Sequence, residues 1–507
     1  MKKKKFLIFS IFCIFCILIG MAVSCSDKIN IPEQSQPDVD EKLVELITYH
    51  INDDYKVSEN EMLEDLENFL FYKDRPLNEV SSTQKTVKNY TFNKVLTQEV
   101  SLSSKNQYQV GVKNSTDVED DTINFSIINV EGFDEDMGYA VMSDDKRLGT
   151  LLMYTDDSDF VEDISGDTFL QFISASFGQY MENMKETWDD IDETDYEALK
   201  KHYGITDEQI EEARKKNENR GATKAMFGTS YSKWSSPIKK GPLLKTKWDQ
   251  YKYSGVINES KGTSGIPVGC GPLAAAQIMA YYRYPKRTQL YNLAVSILNN
   301  SYPSAKGWTG EYNWEEILND TPDGVRDASC LLYEIGRRAW TSYNYGGSGA
   351  LTPLLMNVMF EMGYETPNTT LTSNYSFNAI RESIDKDAPV FVEGYTSGRY
   401  IGLPFWKWIE WGAGSGHAFV CDGYLYQERN KTTYVFWIPI KTVEKNEYIH
   451  LNVGWGGDSN GWYKSGVFDM KNGYTKSEDG LAKKGTTSND YDFSKVVRIW
   501  PNIRPKN

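Results

Sequence analysis

One glycine-rich loop that leads into an apolar helix constrains this chain more than any other stretch. Residues 265–285 read GIPVGCGPLAAAQIMAYYRYP, and the glycines and prolines at the start exclude regular structure there. Pro272 suits a first helical position, and residues 273–282 are rich in helix formers. Because this helix is apolar nearly all round, the sequence predicts that it is buried in a large core. The loop therefore delivers the thiol of Cys270 to a helix N-terminus, where a thiol pKa is lowered.

Cys270 has two interpretations at this point. A thiol with a lowered pKa at a helix tip is how a nucleophile is presented to a substrate. A small buried cysteine beside a tight turn is the alternative.

Residues 1–24 have the pattern of a secretory signal, with four lysines, an apolar run and small residues before Cys25. Residues 22–25 resemble the lipobox of bacterial lipoproteins, which implies cleavage before Cys25 and lipidation of its thiol. We therefore expect a lipid anchor in the cell envelope, at the outer membrane or the cell surface, with release after activation as a further option. An uncleaved membrane anchor is the alternative.

The cysteines argue against a disulfide framework. Of the six in the chain, two leave with the signal and Cys25 is used for the lipid, so Cys270, Cys330 and Cys421 remain. An odd number of thiols in an exported protein points to at least one free, reactive thiol. We expect Cys330 and Cys421 to be packed core thiols. No Cys/His cluster or phosphate-binding loop is present, so we expect no metal and no cofactor.

Charge divides the chain into two halves. Residues 26–229 carry 45 Asp and Glu against 20 Lys and Arg, whereas residues 230–507 have a net charge of +5. This asymmetry disfavours nucleic acid as a partner and suggests either an acidic solubilising region or two halves that dock on each other. The predicted organisation is a signal (1–24), a tether (25–40), an acidic domain (41–216), a linker (217–241) and a C-terminal domain (242–507).

The fold class follows from the order of the patterns. The acidic domain has helical spacing at both ends and short β runs between residues 88 and 160. The C-terminal domain begins with helices and then turns to strands rich in β-branched and aromatic residues. Helices followed by an antiparallel sheet predict an α+β fold, preceded by a separate α+β domain.

Three further residues complete a possible catalytic set with Cys270. His417 follows a glycine-rich loop and lies 147 residues after the cysteine, a separation typical of papain-like enzymes. Asn452 could orient the imidazole through its second nitrogen. Gln250 could donate a hydrogen bond to an oxyanion, with the Cys270 backbone N–H as the second donor.

These residues lie in motifs that resemble the streptopain family of bacterial cysteine peptidases over residues 248–507. The likeness rests on four short motifs, which are residues 248–250, 269–285, 416–423 and 452–457. It implies a papain-like catalytic domain in which Cys270 is the nucleophile, His417 the general base and acid, Asn452 the orienting residue and Gln250 the oxyanion donor.

The resemblance also implies how the chain is regulated and what it binds. The acidic domain, chiefly through residues 138–145, resembles the family's inhibitory pro-domain, so we expect a zymogen that is activated by cleavage within the linker. Peptides or proteins are the expected substrates. The residues expected to contact them are Ser348, Gly349, Gly416 and Trp455.

One departure from the family pattern keeps other functions open. Val453 stands where the family motif has a tryptophan that is thought to cover the His–Asn pair. A catalytically silent surface lipoprotein that binds peptides in the same cleft is therefore one alternative. An amide hydrolase that acts on cell-wall peptides is another.

Overall fold

The computed structural model describes most of the chain. The described residues are 41–52, 55–73, 90–101, 122–131, 137–156, 158–164, 167–219, 228–289, 292–366, 373–396, 415–435, 438–468 and 495–506. The predicted signal, the tether and the lipidation site Cys25 lie outside them. Within these ranges, no helix is both long and apolar enough to cross a membrane. Residues 41–219 are called the N-terminal segment below, and residues 228–506 the C-terminal segment.

The N-terminal segment places a meander of four strands between helices. Its helices and strands are α1 (Glu41–Asn52), α2 (Glu59–Lys73), β1 (Thr91–Ser101), β2 (Thr122–Glu131), β3 (Met137–Ser143), β4 (Leu151–Thr155), α3 (Thr168–Asp189), α4 (Glu193–Tyr203) and α5 (Asp207–Asn219). Helix α3 begins at Thr168 because the Asp167 carboxylate accepts hydrogen bonds from the first backbone N–H groups.

The C-terminal segment is helical first and then mostly strands. Its elements are β5 (Gly228–Tyr231), β6 (Ile238–Lys240), α6 (Gly255–Lys261), α7 (Cys270–Tyr282), α8 (Asn292–Ser301), α9 (Trp314–Leu318), α10 (Pro322–Arg338), α11 (Thr352–Glu361), β7 (Tyr364–Glu365), β8 (Ser373–Asn374), α12 (Phe377–Asp385), β9 (Val390–Thr396), β10 (Ser415–Val435), β11 (Ile438–Asn452), β12 (Gly461–Lys464), β13 (Lys495–Trp500) and β14 (Arg504–Pro505). The predicted α+β class is confirmed.

A continuous antiparallel sheet joins the two segments. Its main path runs β1-β2-β3-β4-β12-β11-β10-β9-β13-β8, and the two segments meet where β4 pairs with β12. Strand β10 is long enough for one edge to pair with β9, β6 and β5 in turn, while its other edge pairs with β11. The N-terminal segment, predicted as a separate domain, thus extends the sheet of the C-terminal segment.

Two large apolar cores lie within this arrangement. One surrounds α7, which is buried on nearly every face as its composition predicts. The other lies between α3 and the sheet, where Phe172 packs on Phe419 with ring centroids 6.1 Å apart. The packing here is close, because a Cβ on Gly394 would come within 2.4 Å of the Phe172 ring. Cys330 and Cys421 are both fully buried, as expected.

Part of the linker predicted over residues 217–241 has regular secondary structure, although many of its described residues are exposed. Helix α5 continues to Asn219, and residues 220–227 lie outside the described part. Strands β5 and β6 then pair with β10. Their sequence is polar and offers no local β pattern, so only the long edge of β10 explains why they are extended.

Candidate active site

Cys270 is the first residue of α7, at the tip of the buried helix. The residue before it, Gly269, has φ +95°, and a Cβ there would approach the Ser348 carbonyl oxygen to 2.9 Å. Only glycine fits this position without strain, since the conformation is left-handed and the neighbouring backbone is close. The glycine-rich loop is therefore what brings the thiol and the Ser348 loop together.

Cys270 and His417 form a hydrogen-bonded pair. Burial acts to raise the pKa of the Cys270 thiol, but the hydrogen bond and charge of His417 outweigh it, so the pKa lies below the ordinary value of 9.0. Burial acts to lower the pKa of His417, but the bond to Cys270 and its charge, the Val453 carbonyl and the Asp167 charge together raise it. Both shifts favour a thiolate beside an imidazolium, which is the reactive state of a catalytic cysteine.

The imidazole of His417 is held from its other side by the main chain. His417 is 3% exposed, and its Nε2 lies 2.9 Å from the carbonyl oxygen of Val453. A carbonyl oxygen only accepts, so Nε2 carries a proton and donates it there. Nδ1 is then the nitrogen available to Cys270.

Aromatic rings cover the imidazole. Trp455 stacks on His417 with centroids 5.8 Å apart and planes 8° from parallel, and Phe419 lies at 6.2 Å. Phe169 of helix α3 contacts the same ring at 5.9 Å. Val453 itself is buried in the core. The cover that the Val453 departure put in question is thus provided by Trp455 and by the N-terminal segment.

Asn452 lies at the end of β11, but its amide does not bond to His417 in this structure. Its Nδ2 donates to the carbonyl oxygen of Thr246 at 2.7 Å, while its Oδ1 is buried and has no hydrogen-bond partner among the described residues. The structure therefore brings Asn452 beside the residue whose carbonyl holds His417. Its orienting role stays a prediction.

Gln250 lies in a stretch whose backbone is hydrogen-bonded both to the loop before Cys270 and to the turn after Asn452. The Gln250 carbonyl accepts a hydrogen bond from the Val268 N–H at 2.8 Å, two residues before Cys270. The Trp248 carbonyl accepts one from the N–H of Gly456 at 3.0 Å, in the turn after Asn452. Gln250 is buried beside the loop of the nucleophile, where an oxyanion donor is needed.

The four residues predicted to contact a substrate lie in segments next to Cys270 or His417. Ser348 packs its backbone against Gly269, and Gly349 holds that loop through paired hydrogen bonds of 2.9 and 3.1 Å with Ser342. Gly416 precedes His417 on β10 and is exposed. The fourth, Trp455, is the ring stacked on the imidazole.

The N-terminal segment supplies two residues at the site that the sequence analysis did not single out. They are Phe169, against the imidazole, and Asp167, which caps α3 and whose carboxylate interacts electrostatically with His417. Burial raises the pKa of Asp167, although two backbone N–H groups and the His417 charge act against it. A capping aspartate before a predicted helix was the available signal, but nothing local indicates which ring the helix meets.

Comparison with known proteins finds a family whose model matches the residues of the site. The family model described as Peptidase C10 family matches residues 248–463. Thiol protease/hemagglutinin PrtT of Porphyromonas gingivalis is 22% identical over 233 residues, which are 43% of this chain and 22% of that protein. Streptopain of Streptococcus pyogenes is 25% identical over 213 residues, which are 39% of this chain and 45% of that protein. The chain thus spans less than half the length of these relatives.

A solved structure is also similar to the chain. A fragment of prointerpain A from Prevotella intermedia aligns at 17% identity and a TM-score of 0.39, over 76% of this chain and 96% of the fragment. The family match itself covers Gln250, Cys270, His417 and Asn452, and it confirms the family that the four motifs predict. The match over residues 248–463, together with the streptopain relatives, supports the streptopain family of papain-like cysteine peptidases for this chain.

Proposed function

We propose that this protein is a cysteine endopeptidase made as a zymogen. The observation that carries the proposal is the hydrogen-bonded pair of Cys270 and His417, with pKa shifts that favour a thiolate beside an imidazolium. The relatives, a thiol protease and streptopain, support the same chemistry.

The reaction follows from the roles that these groups can take. The Cys270 thiolate attacks the carbonyl carbon of the scissile peptide bond, and negative charge moves to the carbonyl oxygen. The Cys270 N–H and the Gln250 side chain stabilise that oxygen. His417 gives its proton to the leaving amine as the C–N bond breaks, which leaves a thioester. A water deprotonated by His417 then hydrolyses the thioester, releases the acid and restores the thiol.

The N-terminal segment acts as the inhibitor in this proposal. Phe169 rests on the imidazole of His417, and Asp167 brings a carboxylate towards it, so the segment covers the ring that a substrate must reach. Its net negative charge beside a mildly basic C-terminal segment supports docking of the two. Activation requires a cut between Asn219 and Gly228 followed by departure of the segment.

The test compares the uncut and cut forms of one protein. The chain from residue 26 onward is prepared with the recognition sequence of a site-specific protease between Asn219 and Gly228, with and without Cys270→Ala. We expect the cut form with Cys270 to release its N-terminal segment and then to digest unfolded casein, and we expect the uncut form and both Cys270→Ala forms to be inactive. An uncut form as active as the cut one would refute the inhibitory role.

Two other outcomes of this experiment lead to different functions. If no form digests casein but Cys270 in the cut form reacts rapidly with iodoacetamide, the substrate is unlike casein, and cell-wall peptides are tested next. If Cys270 is also unreactive, the cleft is a binding site rather than an active site.

Secretion and a lipid anchor on Cys25 complete the proposal. They are supported by the signal pattern of residues 1–24 and by the small residues that precede Cys25. The protein would then act at the cell envelope, held by its acyl chains. The test is incorporation of labelled palmitate into the expressed protein, which Cys25→Ser should abolish; labelling that survives this change would refute the anchor site.

A further inference from the structure

The side-chain amide of Asn452 is only half satisfied. Its Nδ2 donates to the Thr246 carbonyl oxygen at 2.7 Å, and its Oδ1 is buried without a partner in the part of the chain that the structure describes. The amide cannot be reversed, because its oxygen would then face another acceptor. The Thr246 carbonyl therefore dictates which way the Asn452 amide points. A buried acceptor without a donor is costly, so its presence beside the reacting pair calls for a physical reason.

Thr246 is itself fixed to the helix that carries the nucleophile. Its hydroxyl donates to Oε1 of Gln277 at 2.9 Å, and both residues are buried. Gln277 lies seven residues after Cys270, two turns along α7. Asn452, Thr246 and Gln277 thus form a buried chain of hydrogen bonds from the end of β11 to the helix of the nucleophile.

A donor for the orphan oxygen is one residue away. The Nε2–H of His417 is bonded to the carbonyl of Val453, the residue that follows Asn452. Phe169 of the N-terminal segment packs on the same imidazole. When this segment is in place, the ring is held on the main-chain acceptor, and the side-chain acceptor beside it stays vacant.

We propose that Thr246 and Gln277 are positioning residues, which fix the Asn452 amide so that its oxygen can accept the Nε2–H of His417 once the N-terminal segment has left. In the covered state the Nε2–H of His417 donates to the Val453 carbonyl oxygen instead. The inference rests on the proposed function and adds to it the two residues that act on His417 through Asn452.

The test is a double-mutant cycle on the cut form of the chain described above. Thr246→Val removes the hydroxyl and keeps the shape. It should lower kcat about tenfold with little change in KM, the effect of losing about one hydrogen bond in the transition state. In an Asn452→Ala background the same substitution should change kcat less than about twofold, because the residue through which it acts is already gone. Thr246→Ser keeps the hydroxyl and should restore activity.

A second readout needs no peptide hydrolysis. The rate at which iodoacetamide alkylates Cys270 is followed against pH in the cut form. Without its orienting partner the imidazolium is less stable, so Thr246→Val should move the thiolate midpoint to higher pH, and Thr246→Ser should not. If casein is not cleaved at all, this shift still tests the inference, which separates its failure from that of the proposed function.

Folding is controlled by two further variants. Thr433→Val makes the same change at a buried threonine on β10 and should leave both readouts unchanged. If Thr246→Val does not fold, Gln277→Met removes the acceptor instead, with the same expected results. Equal losses of kcat with and without the Asn452 side chain, or an unshifted alkylation profile, would overturn the proposal.

Discussion

His450 should be positively charged at neutral pH. Its ion pairs with Asp422 and Asp156, called the His450 tie below, should hold the two segments together. Its Nδ1 lies 2.6 Å from Oδ1 of Asp422, in the C-terminal segment. Its Nε2 lies 3.3 Å from Oδ2 of Asp156, in the N-terminal segment, and Asp156 is paired with Lys73 at 2.6 Å. Because carboxylates face both ring nitrogens, both nitrogens donate and the ring is an imidazolium. The Trp462 ring lies 5.1 Å away and helps to bury it.

The size of the effect follows from the pKa shift. Burial acts to lower the pKa of His450, but the two carboxylates raise it from 6.5 to about 9. This difference corresponds to roughly 3 kcal/mol of stability. A raised histidine pKa contributes its full stability below pH 6.5 and loses it as the pH rises through about 9. Between these limits the free energy of unfolding should fall by about 1.4 kcal/mol per pH unit.

At low pH, the strength of the His450 tie depends on the pKa of Asp156. Burial acts to raise its pKa, but His450 and Lys73 lower it from 3.8 to about 2. This contribution is complete above pH 3.8 and is lost as the pH falls through about 2. The tie should therefore be strongest between about pH 4 and 6.5.

The chain has only four histidines, so the prediction can be checked directly by NMR of ¹³Cε1-labelled histidine. The signal that His450→Gln removes should titrate with a midpoint near 9. The difference in free energy of unfolding between wild type and His450→Gln should shrink by about 2 kcal/mol or more from pH 6.5 to about 8.5. His202→Gln is the matched control, since burial lowers the pKa of that half-buried histidine. A midpoint at or below 6.5 for His450, or a difference that does not depend on pH, would refute the reasoning.

Three further predictions concern the covering helix and the nucleophile. Phe169→Ala should weaken docking of α3 by about 3–5 kcal/mol and give the uncut chain measurable casein activity. An uncut Phe169→Ala chain as silent as wild type would contradict the covering role. Gly394→Ala should lower the free energy of unfolding, measured by heat or denaturant, by about 1–3 kcal/mol because its Cβ meets the Phe172 ring. Phe172→Leu should recover part of that loss. If the effects of the two substitutions simply add, the ring is not the cause. At pH 7, iodoacetamide should modify Cys270 well before Cys330 and Cys421, because burial raises the pKa of those two thiols. The three rates of modification are measured by peptide mass spectrometry. Equal rates would contradict the lowered pKa of Cys270.

The nucleophile helix and the order of the site residues were predictable because their signals are local. Gly269, Pro272 and the apolar run after them define where α7 begins and why it is buried. The glycine-rich approach to His417 and the end of the strand at Asn452 are likewise visible in a few residues. A local pattern is enough to specify a turn, a helix cap or a hydrophobic period, so these three features can be predicted without knowledge of the fold.

The contacts between the segments were not predictable, because they join residues far apart in the chain. Trp462 pairs with Tyr154 across the junction of β12 and β4, and nothing in either strand specifies the other. The same holds for His450, whose charge depends on Asp156 from the N-terminal segment. The sequence places His450 on the same face of its strand as Asn452, and only the fold reveals that carboxylates surround it.

The arrangement around His417 also limits how the proposed inhibition can work. Cys270 and His417 are already hydrogen-bonded while Phe169 lies on the imidazole, so the N-terminal segment does not keep the reacting pair apart. What it does is cover the ring, whose Nε2–H donates to the Val453 carbonyl oxygen in this state. Departure of the segment then requires no rebuilding of α7 or β10, because the elements that carry the pair are paired and packed without it. A cut between Asn219 and Gly228 alone leaves the shared sheet, the aromatic core and the His450 tie intact, so cleavage and release are separate steps, and release is the one that uncovers the site.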